Sequence, residues 1–153
     1  ITPKQAIDVA LCWGWIDAIR KSLDATSYLQ RYTPRRSKSI WSKVNVANVA
    51  RLIEAGRMTP HGLKQVEAAQ ADGRWARAYA TGKAMSIPDD LQAAIDAVPA
   101  ARQMLATLSE QNRFAIAFRV FNMKTEAGRQ KKIETFVAML ARGETIYPQK
   151  TKP

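Results

Sequence analysis

One cysteine, one histidine and no long apolar run are what this sequence most visibly lacks, and each shortage removes a class of protein. Cys12 alone forms neither an intrachain disulfide nor a zinc site that needs several thiolates. Such cysteine usage fits a reducing compartment, so a cytoplasmic location is expected. His61, as the single histidine, excludes a His-rich metal cluster and a two-histidine facial triad. The longest apolar stretch, Val9 to Ile16, is bracketed by Asp8 and Asp17 and falls well short of the roughly 20 residues a membrane-crossing helix needs. The seven glycines are scattered, without the Gly-rich loop that cradles a nucleotide phosphate. No basic leader with a small-residue cleavage pattern opens the sequence, although a start at Ile1 keeps a periplasmic location open.

Acidic residues are also few. Lys plus Arg number 24 against 13 Asp plus Glu, for a net charge of +11, so polyanions are favoured partners and cationic peptides are repelled. The 153 residues correspond to about one domain by the usual 100–200-residue range, which predicts a single core. With 46% hydrophobic and 24% charged residues, the chain has globular composition and is expected to fold.

Helix signals recur along the chain. Thr2-Pro3-Lys4-Gln5 reads as a capping box with proline at the first helical position, and Gly14 marks the stop. Asp17 to Tyr32 has a polar centre at Asp24-Ala25-Thr26 between two flanks and predicts a hairpin. Thr33 to Ser39 reads as a presented loop, since the residue before Pro34 is pushed from helical geometry and the basic cluster repels itself. Val46, Val49, Ala50 and Ile53 then form a helical stripe with Asn45 as cap and Gly56 as terminator. Thr59-Pro60 starts another helix that ends at Asp72-Gly73, and a connector follows from Arg74 to Ser86. Beyond Pro88 every segment is helical by pattern. Phe114, Ala117, Phe118 and Phe121 form one stripe and Ile133, Phe136, Val137 and Leu140 a facing one, before a tail that begins at Tyr147-Pro148 and ends in lysines. The expected fold is mainly α, with six or seven short helices and one small β-hairpin near the N-terminus. It divides into an N-terminal part over residues 1–85 and an all-helical subdomain over residues 86–153.

Charge is concentrated rather than spread. Residues 1–60 hold 10 basic side chains, of which seven lie between Arg20 and Lys43 with Asp24 as the only acid among them. Arg31 on the hairpin with Arg35, Arg36 and Lys38 on the loop, and Lys43 beyond it, would offer an anion several donors, the guanidinium forks being suited to phosphate. Tyr32, Trp41 and Trp15 flank this cluster as stacking surfaces of the kind single-strand binders use. These eight residues are the expected contact surface. The competing reading is a solvated loop whose aromatics are core and whose arginines pair within the fold.

Several segments resemble a known family. Ala10-Leu11-Cys12-Trp13-Gly14-Trp15-Ile16-Asp17, Arg31-Tyr32-Thr33-Pro34-Arg35-Arg36, Ser39-Ile40-Trp41-Ser42-Lys43-Val44-Asn45 and Gly56-Arg57-Met58-Thr59-Pro60 are similar to the YdeI/OmpD-associated family, also labelled bacteriocin-protection proteins. Gln111-Asn112-Arg113 and the stretch from Arg129 to Leu140 resemble its terminal helical region, so the likeness spans nearly the whole chain. The resemblance implies a small bacterial protein with a label suggesting envelope stress, porin association or antimicrobial tolerance, and it brings no catalytic residue. It also implies that an N-terminal segment usual in the family is lacking, which would make the hairpin the remnant of a small α+β sheet.

No catalytic constellation stands out. Cys12 sits in an apolar run as a small buried hydrophobe rather than as the thiol of a Cys12 and His61 pair, and Asp89 and Asp90 read as first-turn acids. The expectation is a non-enzymatic binding or stress-related accessory protein with no cofactor and no metal, contacting a protein partner or polyanion through the basic hairpin and loop. The alternative is a nucleic-acid-binding protein using the same surface.

Overall fold

A computed structural model describes residues 1–149, apart from the Lys83 side chain; Lys150 and Lys152, the lysines of the tail, lie outside the described residues. The element order is α1 (Pro3–Cys12), β1 (Trp15–Ser22), β2 (Tyr28–Pro34), α2 (Lys43–Glu54), α3 (Pro60–Ala71), a 3-10 turn (Gly82–Ala84), α4 (Asp89–Asp96), α5 (Pro99–Thr107), α6 (Glu110–Phe121) and α7 (Glu126–Ala141). The protein is thus mainly α with one two-stranded antiparallel hairpin. The chain divides into two compact units, Ile1–Ala78 and Tyr79–Pro153. Each has its own cluster of buried residues, where length alone predicted a single core.

In the first unit the helix starts are set by local chemistry. Thr2 and Gln5 complete the capping box on α1, Ser42 Oγ accepts from Asn45 N at 3.2 Å to cap α2, and Thr59 caps α3 ahead of Pro60. The cap of α2 is therefore Ser42, three residues before the expected Asn45. Its inner line is Val49 and Leu52, while Ile53 of the predicted stripe is exposed. Leu11, Cys12, Trp41, Val49, Leu52, Val66, Ala69 and Ala78 make the core. A buried carboxylate, Asp8, is held by Arg51 at 2.6 Å, tying α1 to α2.

Helices α1 and α3 meet backbone to backbone. Thr59 Oγ1 donates to the Cys12 carbonyl at 2.6 Å, and Gly62 faces the same carbonyl so closely that a side chain there has no room.

The second unit packs Leu91 and Ile95 of α4, Ala101 and Leu105 of α5, Ile116 and Val120 of α6, and Ile133, Phe136 and Leu140 of α7. On α6 the buried residues are Asn112, Ile116 and Val120, at i, i+4 and i+8, with Ala115 and Ala117 beside them; of the stripe that the sequence suggested, Ala117 is buried and its aromatic members are not. Phe114 and Phe118 stack on each other at 5.3 Å, Phe118 meets the Tyr79 ring edge at 4.8 Å, and Phe121 is exposed. Arg129 of α7 grips Asp90 of α4 through Nε at 2.5 Å and Nη2 at 2.7 Å, and its Nη1 donates to the Val120 carbonyl. That fork holds the Asp90 carboxyl below the usual aspartate range.

Candidate binding surface of the N-terminal unit

The hairpin pairs Trp15 with Pro34, Ile16 with Thr33 and Asp17 with Tyr32; an irregularity follows, after which Arg20 pairs with Gln30, Lys21 with Leu29 and Ser22 with Tyr28. The extra residue of β1 at that bulge resets which side chains share a face. Beyond it Lys21 stands beside Leu29 on one face, and Arg20 lies over the Tyr28 ring at 3.6 Å on the other. Ile19 and Arg31 line a common recess, so they belong to the Lys21 and Leu29 face.

The turn is organised by Asp24. Its Oδ1 accepts from the backbone N–H groups of Thr26 and Ser27, each at 2.8 Å, and from the Thr26 hydroxyl, while Oδ2 accepts from the Ser27 hydroxyl. An Asx turn of this kind replaces missing backbone bonds with carboxylate ones. Those donors, the Ser27 hydroxyl foremost, lower the Asp24 pKa from 3.8 to about 2. A carboxyl whose folded value is depressed stabilises the folded turn above its unfolded value and loses that contribution as pH falls towards the folded one. The Thr26 and Ser27 amides are expected to lose exchange protection between pH 3.8 and about 2, and Asp24→Asn should remove that step. An amide exchange profile that is flat across this range in the unmodified protein would contradict the assignment.

Of the eight residues expected at the surface, Arg31, Arg36, Lys38 and Lys43 are exposed, Trp15 is 42% exposed and Tyr32 is half-buried. Arg35 and Trp41 are buried instead, at 6% and 2% exposure. The Arg35 guanidinium lies 3.4 Å above the Trp41 ring, its Nη1 donates to the Ile40 carbonyl at 3.2 Å, and its backbone N–H donates to Gly14 O at 2.9 Å. Trp41 also meets the edge of Trp75 at 4.9 Å. This pair builds the loop from inside, since Arg stacks its flat, weakly hydrated face on indole. Two of the proposed contacts are therefore scaffold, and the loop they support carries Arg36 and Lys38 outward.

Arg31 and Arg36, with Thr33 and Ser39, border the recess of about 240 Å³ on the Ile19 side. Ser39 Oγ accepts from Arg36 N at 2.9 Å, which fixes the backbone at that point. On the other side of the hairpin Trp15 and Tyr32 join Val9, Ala10 and Trp13 along an apolar groove of about 440 Å³. Three exposed aliphatic side chains, Ile19, Leu23 and Leu29, were not singled out by the sequence reading. The alternate positions Ile19 and Lys21 in β1, with Leu23 just beyond it, were the available signal, but the bulge hid their relation to Leu29 and Arg31.

Elsewhere the chemistry is sparse. Burial pushes the Cys12 thiol up, opposite to what a thiolate nucleophile needs, and the His61 ring stacks on Trp13 at 5.7 Å. In the second unit a recess of about 490 Å³ is bordered by Met85, Ile87, Gln111, Arg113 and Phe114, with Arg113 Nη2 donating to Leu105 O at 2.7 Å. Among the described residues no group of three His, Cys, Asp or Glu side chains is placed to hold a metal ion, and no helix is long and apolar enough to cross a membrane.

Comparison with protein families matches residues 1–65 to a domain of unknown function, DUF8412. Residues 84–143 match the family described as Bacteriocin-protection, YdeI or OmpD-Associated. The N-terminal segments from Ala10 to Pro60 thus fall in the first family model, and the Gln111 to Arg113 and Arg129 to Leu140 segments in the second. Searches among curated proteins and among solved structures gave no match. Over residues 84–143, less than half of its length, the chain is therefore similar to the bacteriocin-protection, YdeI or OmpD-associated family.

Proposed function

We propose that this protein is a non-enzymatic accessory binding protein of the bacteriocin-protection type, and that it contacts an anionic partner through the hairpin and the loop from Arg31 to Lys43. One observation carries the reading: the only acidic residue between Arg20 and Lys43, Asp24, spends its carboxylate on its own turn, while Arg31, Arg36, Lys38 and Lys43 are exposed. A local excess of cations that faces solvent draws polyanions by long-range attraction and sets the rate of encounter. Protection would then be indirect, because a +11 chain repels cationic antimicrobial peptides.

The nucleic-acid reading uses the same cations but needs open aromatic faces. Trp41 is buried and Tyr28 is covered by Arg20, which leaves Trp15 and Trp13 as the exposed indoles on that side, the latter with its ring stacked on His61. Single-strand binders draw about 1–3 kcal/mol per base from stacking, so the loss of these platforms weighs against that reading.

The test is a titration of the full chain with polyglutamate and with a single-stranded oligonucleotide, at low and near-physiological salt. Arg31→Glu with Arg36→Glu and Lys38→Glu, all at exposed positions, is expected to weaken polyglutamate binding by about tenfold or more while the circular dichroism spectrum stays unchanged. Equal binding by the folded triple variant would overturn the reading. Oligonucleotide binding that survives near-physiological salt, with none to polyglutamate, would promote the alternative.

A further inference from the structure

We infer that the Ile19, Lys21, Leu29 and Arg31 face of the hairpin is a docking surface for an anionic phospholipid bilayer. The inference rests on the anion-binding reading above and names its partner.

Three aliphatic side chains stand in solvent on this ribbon: Ile19 is 70%, Leu29 56% and Leu23, at the turn, 58% exposed. An isolated hairpin gains little stability from apolar side chains left in water, so packing within the fold does not account for them. Cations stand among them. Lys21 is the cross-strand neighbour of Leu29, and Arg31 shares the recess with Ile19. Long basic side chains lay their stems along apolar surface and carry the charge to the headgroup level, which suits this mixture to a water–lipid boundary.

The recess gives the headgroup a place. Two guanidinium-bearing residues, Arg31 and Arg36, border an open recess of about 240 Å³ beside Thr33 and Ser39, wide enough for a phosphodiester. A phosphate seated there brings its acyl chains to the side where Ile19 and Leu29 stand. Asp24, the one acid between Arg20 and Lys43, keeps its carboxylate oxygens on Thr26 and Ser27, and Asp17 pairs with Tyr32 on the opposite face of the hairpin. A nucleic acid offers these aliphatic groups no apolar phase. A rigid acidic protein would need a pocket for each, whereas a bilayer deforms to cover all of them at once.

Co-sedimentation of the full chain with vesicles of phosphatidylglycerol, and separately of phosphatidylcholine, tests this beside the polyglutamate titration. Phosphatidylglycerol is expected to bind at least about tenfold more tightly. Leu23→Ser with Leu29→Ser, both exposed and without packing duties, should cut vesicle binding about tenfold and leave polyglutamate binding unchanged. Arg31→Gln with Arg36→Gln should lower both, by about fivefold per charge on vesicles. Vesicle binding that the leucine pair leaves intact would overturn the inference, as would a dimer that the leucine pair dissociates without any vesicle binding. Polyglutamate binding without vesicle binding would sink this inference alone, and binding to neither would sink the anion-binding reading with it.

Discussion

Replacing Gly62 by alanine should melt the N-terminal unit far below its normal temperature. A Cβ at this position would lie 2.3 Å from Cys12 O and 2.8 Å from both Cys12 C and Leu11 O. All three atoms are backbone of the last turn of α1, so no change of rotamer relieves the clash, and the two helices must separate. Separation also stretches the bonds from Thr59 Oγ1 and Thr59 N to the same Cys12 carbonyl, at 2.6 and 3.2 Å. A forced overpacking of this kind costs about 3 kcal/mol or more. At about 4–8 °C per kcal/mol for a unit of this size, the transition should fall by about 12–24 °C. Gly56→Ala is the control: its φ of +63° imposes strain of about 1–2 kcal/mol, but no atom lies within 4 Å of the added Cβ. Circular dichroism melts that place Gly62→Ala level with Gly56→Ala would show that α1 and α3 do not meet this closely.

That contact was invisible in the sequence, where Gly62 is one of seven glycines and follows a proline start that any helix could use. Terminal signals were far more legible. The capping box of α1 and the Thr59-Pro60 start of α3 each act within four residues, and the structure places both at their expected helix starts. Stripe phase was less legible, because it depends on which neighbour arrives. On α2, Leu52 turns inward rather than Ile53, and on α6 the aromatic residues drew attention from a buried line that begins with an asparagine.

The candidate surface shows the same division. Sequence counting located the cations from Arg20 to Lys43, and four of the five named for the site are exposed. It could not tell that Arg35 is turned onto Trp41, since Arg35 and Arg36 are identical side chains on adjacent residues and only the packing of Trp41 distinguishes them. The exposed aliphatic face was hidden for a related reason. A single extra residue in β1 changes which side chains share a face, and a period-two reading fails at that point.

Asn112 is the position where one changed atom should have the largest effect on the second unit. It is 1% exposed and fully employed: the two Nδ2 hydrogens are shared among Ser109 Oγ, Tyr147 O and Gln149 Oε1, and Oδ1 accepts from Tyr147 N at 2.9 Å. These bonds fasten the segment after α7 to the start of α6, aided by Ser109 N donating to Gln149 Oε1. Asn112→Leu keeps the volume but strands the Tyr147 N–H and carbonyl, at a cost of about 2–3 kcal/mol, and the Tyr147 amide should lose exchange protection. Asn112→Asp keeps the acceptor for Tyr147 N and turns the other arm into an oxygen facing Tyr147 O. A buried unpaired carboxylate costs about 3–5 kcal/mol, so the folded state holds its proton to a higher pH than the unfolded chain does. Below an unfolded aspartate value of about 4 the carboxyl is protonated in both states and the deficit relative to the unmodified protein is smallest. As pH rises the unfolded chain releases the proton first, so the deficit should grow by about 1.4 kcal/mol per pH unit until the folded carboxyl also ionises. Urea unfolding of both proteins from pH 4 to 7 measures the difference directly. A deficit that does not change with pH would mean that water reaches position 112, and that the tail is not fastened by a buried amide.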